Sequence, residues 1–161
     1  MAGSETAGLP AARAGLYQDA ACILTPAPQS PRAAVEALHA FWQALGCRTS
    51  EMDAHAHDQV VARISHLPHA AAALTALAAF QPDPAAAQYA AGGLRDTTRV
   101  ASGDPAMWCE ILMENRTALL PALHDLKDAA SQFIAALESR DAGALLSLLT
   151  TARQLRATRY P

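Results

Sequence analysis

The 161-residue sequence has few charged residues, few cysteines and no long apolar run. Twelve lysines and arginines stand against 15 acidic residues, and the formal net charge of -3 is too small and too mixed to attract nucleic acid or an acidic membrane. No apolar stretch approaches the roughly 20 residues that cross a bilayer, and the N-terminus lacks the basic-then-apolar order of a signal peptide. We therefore expect no nucleic-acid partner and no membrane attachment.

The small number of cysteines and the absence of two common motifs also limit the possible functions. Cys22, Cys47 and Cys109 are odd in number, far apart and without C-x-x-C spacing, which argues against a disulfide framework or a zinc knuckle and fits a reducing cytoplasm. The sequence contains no G-x-S-x-G nucleophile segment and no G-x-G-x-x-G segment that would cradle a dinucleotide. The residues alone therefore identify no reaction.

The first fifty residues predict a strand, a helix and a second strand. "ACILTP" is a short apolar run ended by proline, and "CRTSEMD" offers a second extended piece. Between them, "SPRAAVEALHAFWQALG" predicts a helix capped by Ser30, with Pro31 in its first position and Gly46 at its end. Such a unit cannot by itself cover both faces of a sheet.

From residue 53 onward, alanine and leucine recur at helical spacing. We predict a helix from Asp53 to Phe80 that bends at Pro68, then a short helix over 84–91 and a sharp break at the glycines 92–93. A long helix begins at Asp104 and is kinked or split at Pro121, and a final helix spans about 141–156. The leucines of the last helix form core or a subunit interface.

The segment "HAHDQVVARISHLPH", residues 55–69, holds four of the six histidines. On a continuous α-helix, one face carries His55, Asp58, His66 and His69, and the opposite core face carries Val60, Ile64 and Leu67. Zinc and iron accept such ligands. Only His66 and His69 have a tight ligand spacing, however, and Pro68 lies between them, so we favour histidines packed at a helix interface and predict no metal.

The segment "GGLRDTTRVASGDPAMW", residues 92–108, combines glycines, charge and a tryptophan. Arginine is well shaped to hold a carboxylate, so Arg95, Asp96 and Arg99 indicate an anion-binding corner. A solvent-exposed ion pair is the simpler alternative. A helix start at Asp104 with Trp108 close behind favours the corner beside a pocket.

Four segments occur in an order that resembles the prephenate and arogenate dehydrogenases: "MAGSETAG", "ILTP", "HDQVVARISHLPH" and "GGLRDTTRVASGDPAMW". The resemblance covers essentially the whole chain. It implies a mainly α fold, in which residues 51–161 form a helical substrate-binding and dimerisation domain like the C-terminal domain of 6-phosphogluconate dehydrogenase. Residues 1–50 would be the strand-helix-strand remnant of a Rossmann dinucleotide-binding domain, and the protein would be a cytoplasmic homodimer.

The resemblance also assigns roles to individual residues. The implied substrate contacts are Ser65, His69 and Arg99, with Arg99 as the partner of a prephenate carboxylate. The implied rim, which controls access to the pocket at the subunit interface, consists of Glu5, Asp96 and Trp108, with His66 as a weaker candidate for contact with the substrate.

The implied reaction is oxidative decarboxylation of prephenate to 4-hydroxyphenylpyruvate, or the matching reaction of arogenate, with hydride passing to NAD or NADP in tyrosine biosynthesis. The family's catalytic histidine precedes the "MAGSE" segment, so it is expected just before Met1. We therefore expect this chain, a fragment of such an oxidoreductase, to bind no cofactor and to be inactive alone. The alternative is a non-catalytic dimerisation or aromatic-precursor-sensing module that keeps the anion pocket.

Overall fold

The computed structural model describes Gly8 and residues 12–158. Its N-terminal part is the predicted strand-helix-strand unit: β1 (Ala21–Leu24), α1 (Arg32–Ala44) and β2 (Arg48–Glu51). The two strands pair in parallel, with Ala21 opposite Arg48 and Leu24 opposite Glu51. Polar side chains tie α1 to β2, because His39 Nδ1 lies 2.8 Å from Thr49 Oγ1 and its Nε2 lies 3.1 Å from Glu51 Oε1.

The ends of α1 agree only in part with the prediction. Gly46 closes the turn after the helix with a φ of +93°, a conformation that side chains rarely adopt. Ser30 does not cap the helix, because its Oγ accepts the backbone N–H of Ala27 at 3.0 Å. Pro31 takes the capping position instead, with extended backbone and no side-chain hydrogen bond.

A helical run follows from Ala54 to Phe80, as predicted, and it contains a π-helical turn. The run consists of α2 (Ala54–Val61), the π-turn (Ala62–His66) and α3 (Leu67–Phe80). Asp53 caps α2 by accepting the Ala56 N–H at 2.9 Å. Pro68 has no N–H to offer the preceding turn, and the wider turn that ends just before it bonds Leu67 N–H to Ala62 O instead.

Shorter helices connect α3 to α5. A 3₁₀ helix (Pro84–Tyr89) precedes α4 (Gly92–Thr98), a second 3₁₀ helix (Arg99–Ser102) follows it, and α5 spans Pro105–Glu114. The predicted sharp break at Gly92 and Gly93 is wrong, because both glycines lie in the first turn of α4 and neither has a positive φ. The extended backbone at Ala90 and Ala91 separates the two helices instead.

The last two helices are α6 (Arg116–Glu138) and α7 (Ala142–Ala157). Of the two outcomes predicted at Pro121, a kink or a split, the split is wrong, since Pro121 lies inside α6 and the boundary with α5 is at Asn115. Asp141 caps α7 by accepting the Ala144 N–H at 2.9 Å, which confirms the predicted start of that helix.

The chain forms two compact units, Met1–Leu119 and Leu120–Pro161. Most buried side chains of the helical part of the first unit are small; the buried apolar residues there are Val61, Ala62, Ala72, Ala118 and Leu119. The second unit exposes several large apolar side chains: Ile134, Leu137, Leu146, Leu149 and Leu155. Among the described residues, no helix has the length and apolar character needed to cross a membrane.

Candidate functional site

The centre of the candidate site is a stacked pair of rings, His69 on α3 and Trp108 on α5. Their centroids lie 3.6 Å apart and their planes differ by 13°. Only 7% of His69 is exposed, and its Nδ1 has no hydrogen-bond partner in the described part of the chain. A buried polar atom left unbonded costs about 1 to 3 kcal/mol, so a ligand group that bonds to Nδ1 would recover that free energy.

The first turn of α5 places Trp108 against His69. Asp104 caps the helix, as predicted, by accepting the Met107 N–H at 2.8 Å, and the Trp108 N–H donates to the Asp104 carbonyl at 3.0 Å. Gly103 leaves room for the indole, because a Cβ at this position would lie 2.6 Å from Trp108 Nε1 and 2.9 Å from Cδ1. The sequence reasoning missed Gly103, whose only signal was its place directly before the capping aspartate.

His66, in the π-turn, is the second buried histidine of the site. Its ring lies edge-to-face with Trp108, with centroids 6.5 Å apart. Asn115 Nδ2 lies 3.2 Å from His66 Nδ1 and 2.9 Å from the backbone oxygen of Asp58. Asn115 was also missed, although asparagine is common at helix ends and this residue separates α5 from α6.

Both buried histidines are less readily protonated than ordinary ones. Burial lowers the pKa of His69. Burial is also the largest cause of the lowered pKa of His66, where the Asp58 carboxylate acts in the opposite direction and His57 adds to the lowering. Both rings are therefore neutral at neutral pH, and each offers one nitrogen that donates and one that accepts.

The other predicted site residues lie on neighbouring helices. Ser65 is half-buried in the π-turn, whereas Asp96 on α4 and Arg99 on the second 3₁₀ helix are exposed. Because α3 packs against both α4 and that 3₁₀ helix, Arg99 belongs to an element in contact with the helix that carries His69. Glu5 lies outside the described residues.

The predicted single polar face of residues 55–69 is wrong. His55 and Asp58 are exposed while His66 and His69 are buried, and Ile64, predicted to be core, is 67% exposed. The π-turn is the physical reason, because it adds a residue to one turn and rotates everything after it. Within the described residues, no three His, Cys, Asp or Glu side chains could hold a metal ion together.

Comparison with known proteins gives two family models that match this chain. The model of the prephenate dehydrogenase dimerization domain matches residues 53–151, and that of the prephenate dehydrogenase nucleotide-binding domain matches residues 1–51. The chain is 36% identical over 150 residues to a cyclohexadienyl dehydrogenase of Zymomonas mobilis, over 91% of this chain and 51% of that protein. It is 35% identical over 159 residues to a prephenate dehydrogenase of Bacillus subtilis, over 97% of this chain and 43% of that protein.

A solved structure of a prephenate dehydrogenase also matches this chain. Prephenate dehydrogenase from Aquifex aeolicus, in complex with hydroxyphenyl propionate and NAD+, superposes with a TM-score of 0.85 at 26% identity. The alignment covers 99% of this chain and 56% of that one. This chain thus spans about half the length of the curated relatives it matches.

Proposed function

Because this chain belongs to the prephenate dehydrogenase family, we propose that its helical part holds the substrate of a prephenate or arogenate dehydrogenase and joins two copies of the enzyme. Residues 51–161 would form this substrate-binding and dimerisation domain, and residues 1–50 would belong to the nucleotide-binding domain. The complete enzyme would convert prephenate to 4-hydroxyphenylpyruvate with NAD or NADP, or carry out the matching reaction of arogenate, as a cytoplasmic step of tyrosine biosynthesis.

The observation that carries this proposal is the unbonded Nδ1 of His69 beside the face of Trp108. A flat six-membered ring with polar substituents suits such a site, because the indole offers an apolar wall and the imidazole a hydrogen bond. Arg99, on a helix that packs against α3, would supply the positive charge that a carboxylate needs. Ser65 would add a hydroxyl, and Asp96 would shape the rim.

The described residues do not fit the pyrophosphate of NAD or NADP. β1 is followed by Thr25, Pro26 and Pro28 rather than by a glycine-rich turn, and no G-x-G-x-x-G segment occurs in the sequence. We therefore derive no hydride-transfer step from these residues. We propose that the 161-residue chain binds the substrate without oxidising it.

The first test is the Arg99→Ala variant. We expect it to weaken binding of hydroxyphenyl propionate by about tenfold, because the ligand carboxylate would lose a charge-assisted hydrogen bond. Isothermal titration calorimetry on the purified chain measures the change. Arg95→Ala is the matched control, since Arg95 is an exposed arginine on the adjacent turn of α4 to which the family resemblance gives no role.

We expect Arg95→Ala to keep the affinity of the unmodified chain. Equal affinities for the two variants would show that Arg99 does not contact the ligand. If the unmodified chain gave no heat of binding, the proposed function itself would be overturned.

The dimer proposal rests on the apolar side chains of the second unit. Leu146 and Leu149, one turn apart on α7, are 65% and 51% exposed, and Ile134 and Leu137 on α6 are 55% and 61% exposed. Apolar groups exposed in this number on two helices of one unit are typical of a subunit interface.

We expect the double variant Leu146→Glu with Leu149→Glu to turn a dimer into a monomer, because two carboxylates would be buried without partners. Sedimentation velocity measures the change in mass. Gln154→Glu adds a carboxylate to the same helix without removing an apolar side chain, and it should remain a dimer. A monomeric unmodified chain, or a dimeric double variant, would contradict this interface.

A further inference from the structure

Asn115 is the single residue between α5 and α6, and its side chain reaches back to the helical run that carries the histidines. One atom, Nδ2, makes both of its described contacts: 2.9 Å to the backbone oxygen of Asp58 and 3.2 Å to His66 Nδ1. Nothing in the proposed function uses Asn115.

The first contact settles which way the amide faces. A backbone carbonyl oxygen only accepts hydrogen bonds, so the Asn115 atom that faces Asp58 O must be the amide nitrogen and not the amide oxygen. An amide nitrogen carries two hydrogens. One is donated to Asp58 O, and the other is free to be donated to His66.

The second contact then settles where the His66 proton lies. Since Asn115 donates to Nδ1, this ring nitrogen must carry a lone pair, and the proton of the neutral imidazole must lie on Nε2. A doubly protonated ring would set an N–H of His66 against an N–H of Asn115. The contact therefore selects one tautomer and opposes the charged form.

Taken together, burial and the groups around His66 favour the neutral ring. From α2, Asp58 favours the charged ring and His57 opposes it, while burial opposes it most and lowers the pKa of His66 overall. From α5, Trp108 presents an uncharged ring, and the amide of Asn115 at the end of that helix is also uncharged. Of the groups named here, only Asp58 opposes a neutral ring, and burial outweighs its effect.

We propose that Asn115 is a positioning residue that holds His66 as the neutral, Nε2-protonated imidazole beside Trp108. His66 then offers a hydrogen-bond donor, and not a cation, to a ligand at the rings. That a ligand binds at these rings rests on the proposed function, whereas the position of the proton on His66 does not. With a neutral His66, the carboxylate of the ligand is left to Arg99, and the histidine recognises an uncharged oxygen.

Nitrogen-detected NMR of the histidine rings tests this inference on the unmodified chain, without any ligand. His66 is assigned by its disappearance in a His66→Gln variant. We expect a neutral ring with the proton on Nε2. A ring protonated on Nδ1, an even mixture of tautomers, or a charged ring at neutral pH would overturn the proposal.

Two variants then test whether Asn115 is the cause. In Asn115→Asp the carboxylate accepts from Nδ1–H, so we expect the proton to move to Nδ1 and the midpoint of the His66 titration to rise. Asn115→Leu keeps a similar volume without the hydrogen bond, and we expect a mixture of tautomers. The His69 signals should keep their tautomer in both variants, because Asn115 makes no contact with His69 among the described side-chain hydrogen bonds.

A purely structural role for Asn115 at the helix boundary would leave the tautomer and midpoint of His66 unchanged in both variants, and that result would overturn the proposal. If Asn115→Asp fails to fold, the unmodified chain and Asn115→Leu still decide. Titration with hydroxyphenyl propionate is a separate experiment. Failure to bind it would overturn the proposed function and leave the position of the proton established.

Discussion

Replacing Gly103 with alanine is expected to displace the Trp108 ring and to weaken binding of hydroxyphenyl propionate by about 100-fold. A Cβ at this position would lie 2.6 Å from Trp108 Nε1, which is closer than two such atoms can approach. The indole cannot move toward His69 to escape the methyl group, because the two rings are already stacked with their centroids 3.6 Å apart. The indole must therefore move out of the stack with His69, and the site loses its apolar wall.

The same substitution should lower the free energy of unfolding by about 1 to 3 kcal/mol, the usual cost of forcing a methyl group into a filled space. Urea denaturation measures this change, and calorimetry measures the affinity. Tryptophan emission reports the ring directly when Trp42, the other tryptophan, is replaced by phenylalanine. We expect the emission of Trp108 to shift to longer wavelength as the ring becomes exposed.

Gly93→Ala is the matched control for Gly103→Ala. A Cβ at Gly93 meets no atom within 4 Å, and the residue lies in the first turn of α4 without a positive φ. Alanine there should leave affinity unchanged and raise stability by up to about 1 kcal/mol, because alanine favours helix more than glycine does. If Gly103→Ala behaved like Gly93→Ala, the indole would not depend on Gly103 for its place.

These two glycines illustrate which parts of the fold the sequence could predict. The N-cap at Asp104, the start of the last helix near residue 141 and the strand-helix-strand unit were predicted because their signals are local: a short polar side chain, a proline or a glycine at a fixed offset. Gly92 and Gly93 looked like a turn by the same local reasoning, and this was wrong. Gly103 is needed for a close approach by a ring, which no local pattern reveals.

The candidate site was likewise predicted only in part from the sequence. The resemblance selected His69 and Trp108, and the structure stacks them. The sequence also predicted His66 on the face of His69, but it wrongly added His55 and Asp58 to that face, because an ideal helix of 100° per residue does not contain the π-turn before Pro68. Asn115 joins this turn to the α5–α6 boundary through contacts across 49 and 57 residues of sequence, and no periodicity can report contacts of that separation.

Replacing His69 with phenylalanine is expected to separate binding from stability. Phenylalanine keeps a flat ring that can stack on Trp108 but removes the buried Nδ1, which has no hydrogen-bond partner among the described residues. The free energy of unfolding should stay equal or rise by about 1 kcal/mol at neutral pH, because no unbonded polar atom remains buried. Affinity for hydroxyphenyl propionate should fall by about 100-fold, because the ligand would lose its bond to the imidazole and leave a polar group unpaired.

The free energy of unfolding of His69→Phe, relative to that of the unmodified chain, should increase as the pH falls. Burial lowers the pKa of His69, so the unfolded chain takes up a proton near the ordinary value of about 6.5 while the folded chain does not. The unmodified chain is then fully stable above that pH and loses stability as the pH falls toward the folded pKa. His69→Phe loses only the share that His66 contributes, so thermal denaturation between about pH 7.5 and pH 5.5 should show a smaller decrease for the variant.

His55→Ala, which truncates an exposed histidine of the same helical run, should leave affinity unchanged and controls for the loss of one imidazole. A His69→Phe variant that is clearly less stable at neutral pH would show that Nδ1 is bonded in the folded chain. Unchanged affinity would show that the ring serves only as a wall. Equal stability with lost binding, in contrast, would show that the buried nitrogen does not stabilise the fold. A hydrogen bond to the ligand is then the physical reason for a nitrogen at this position.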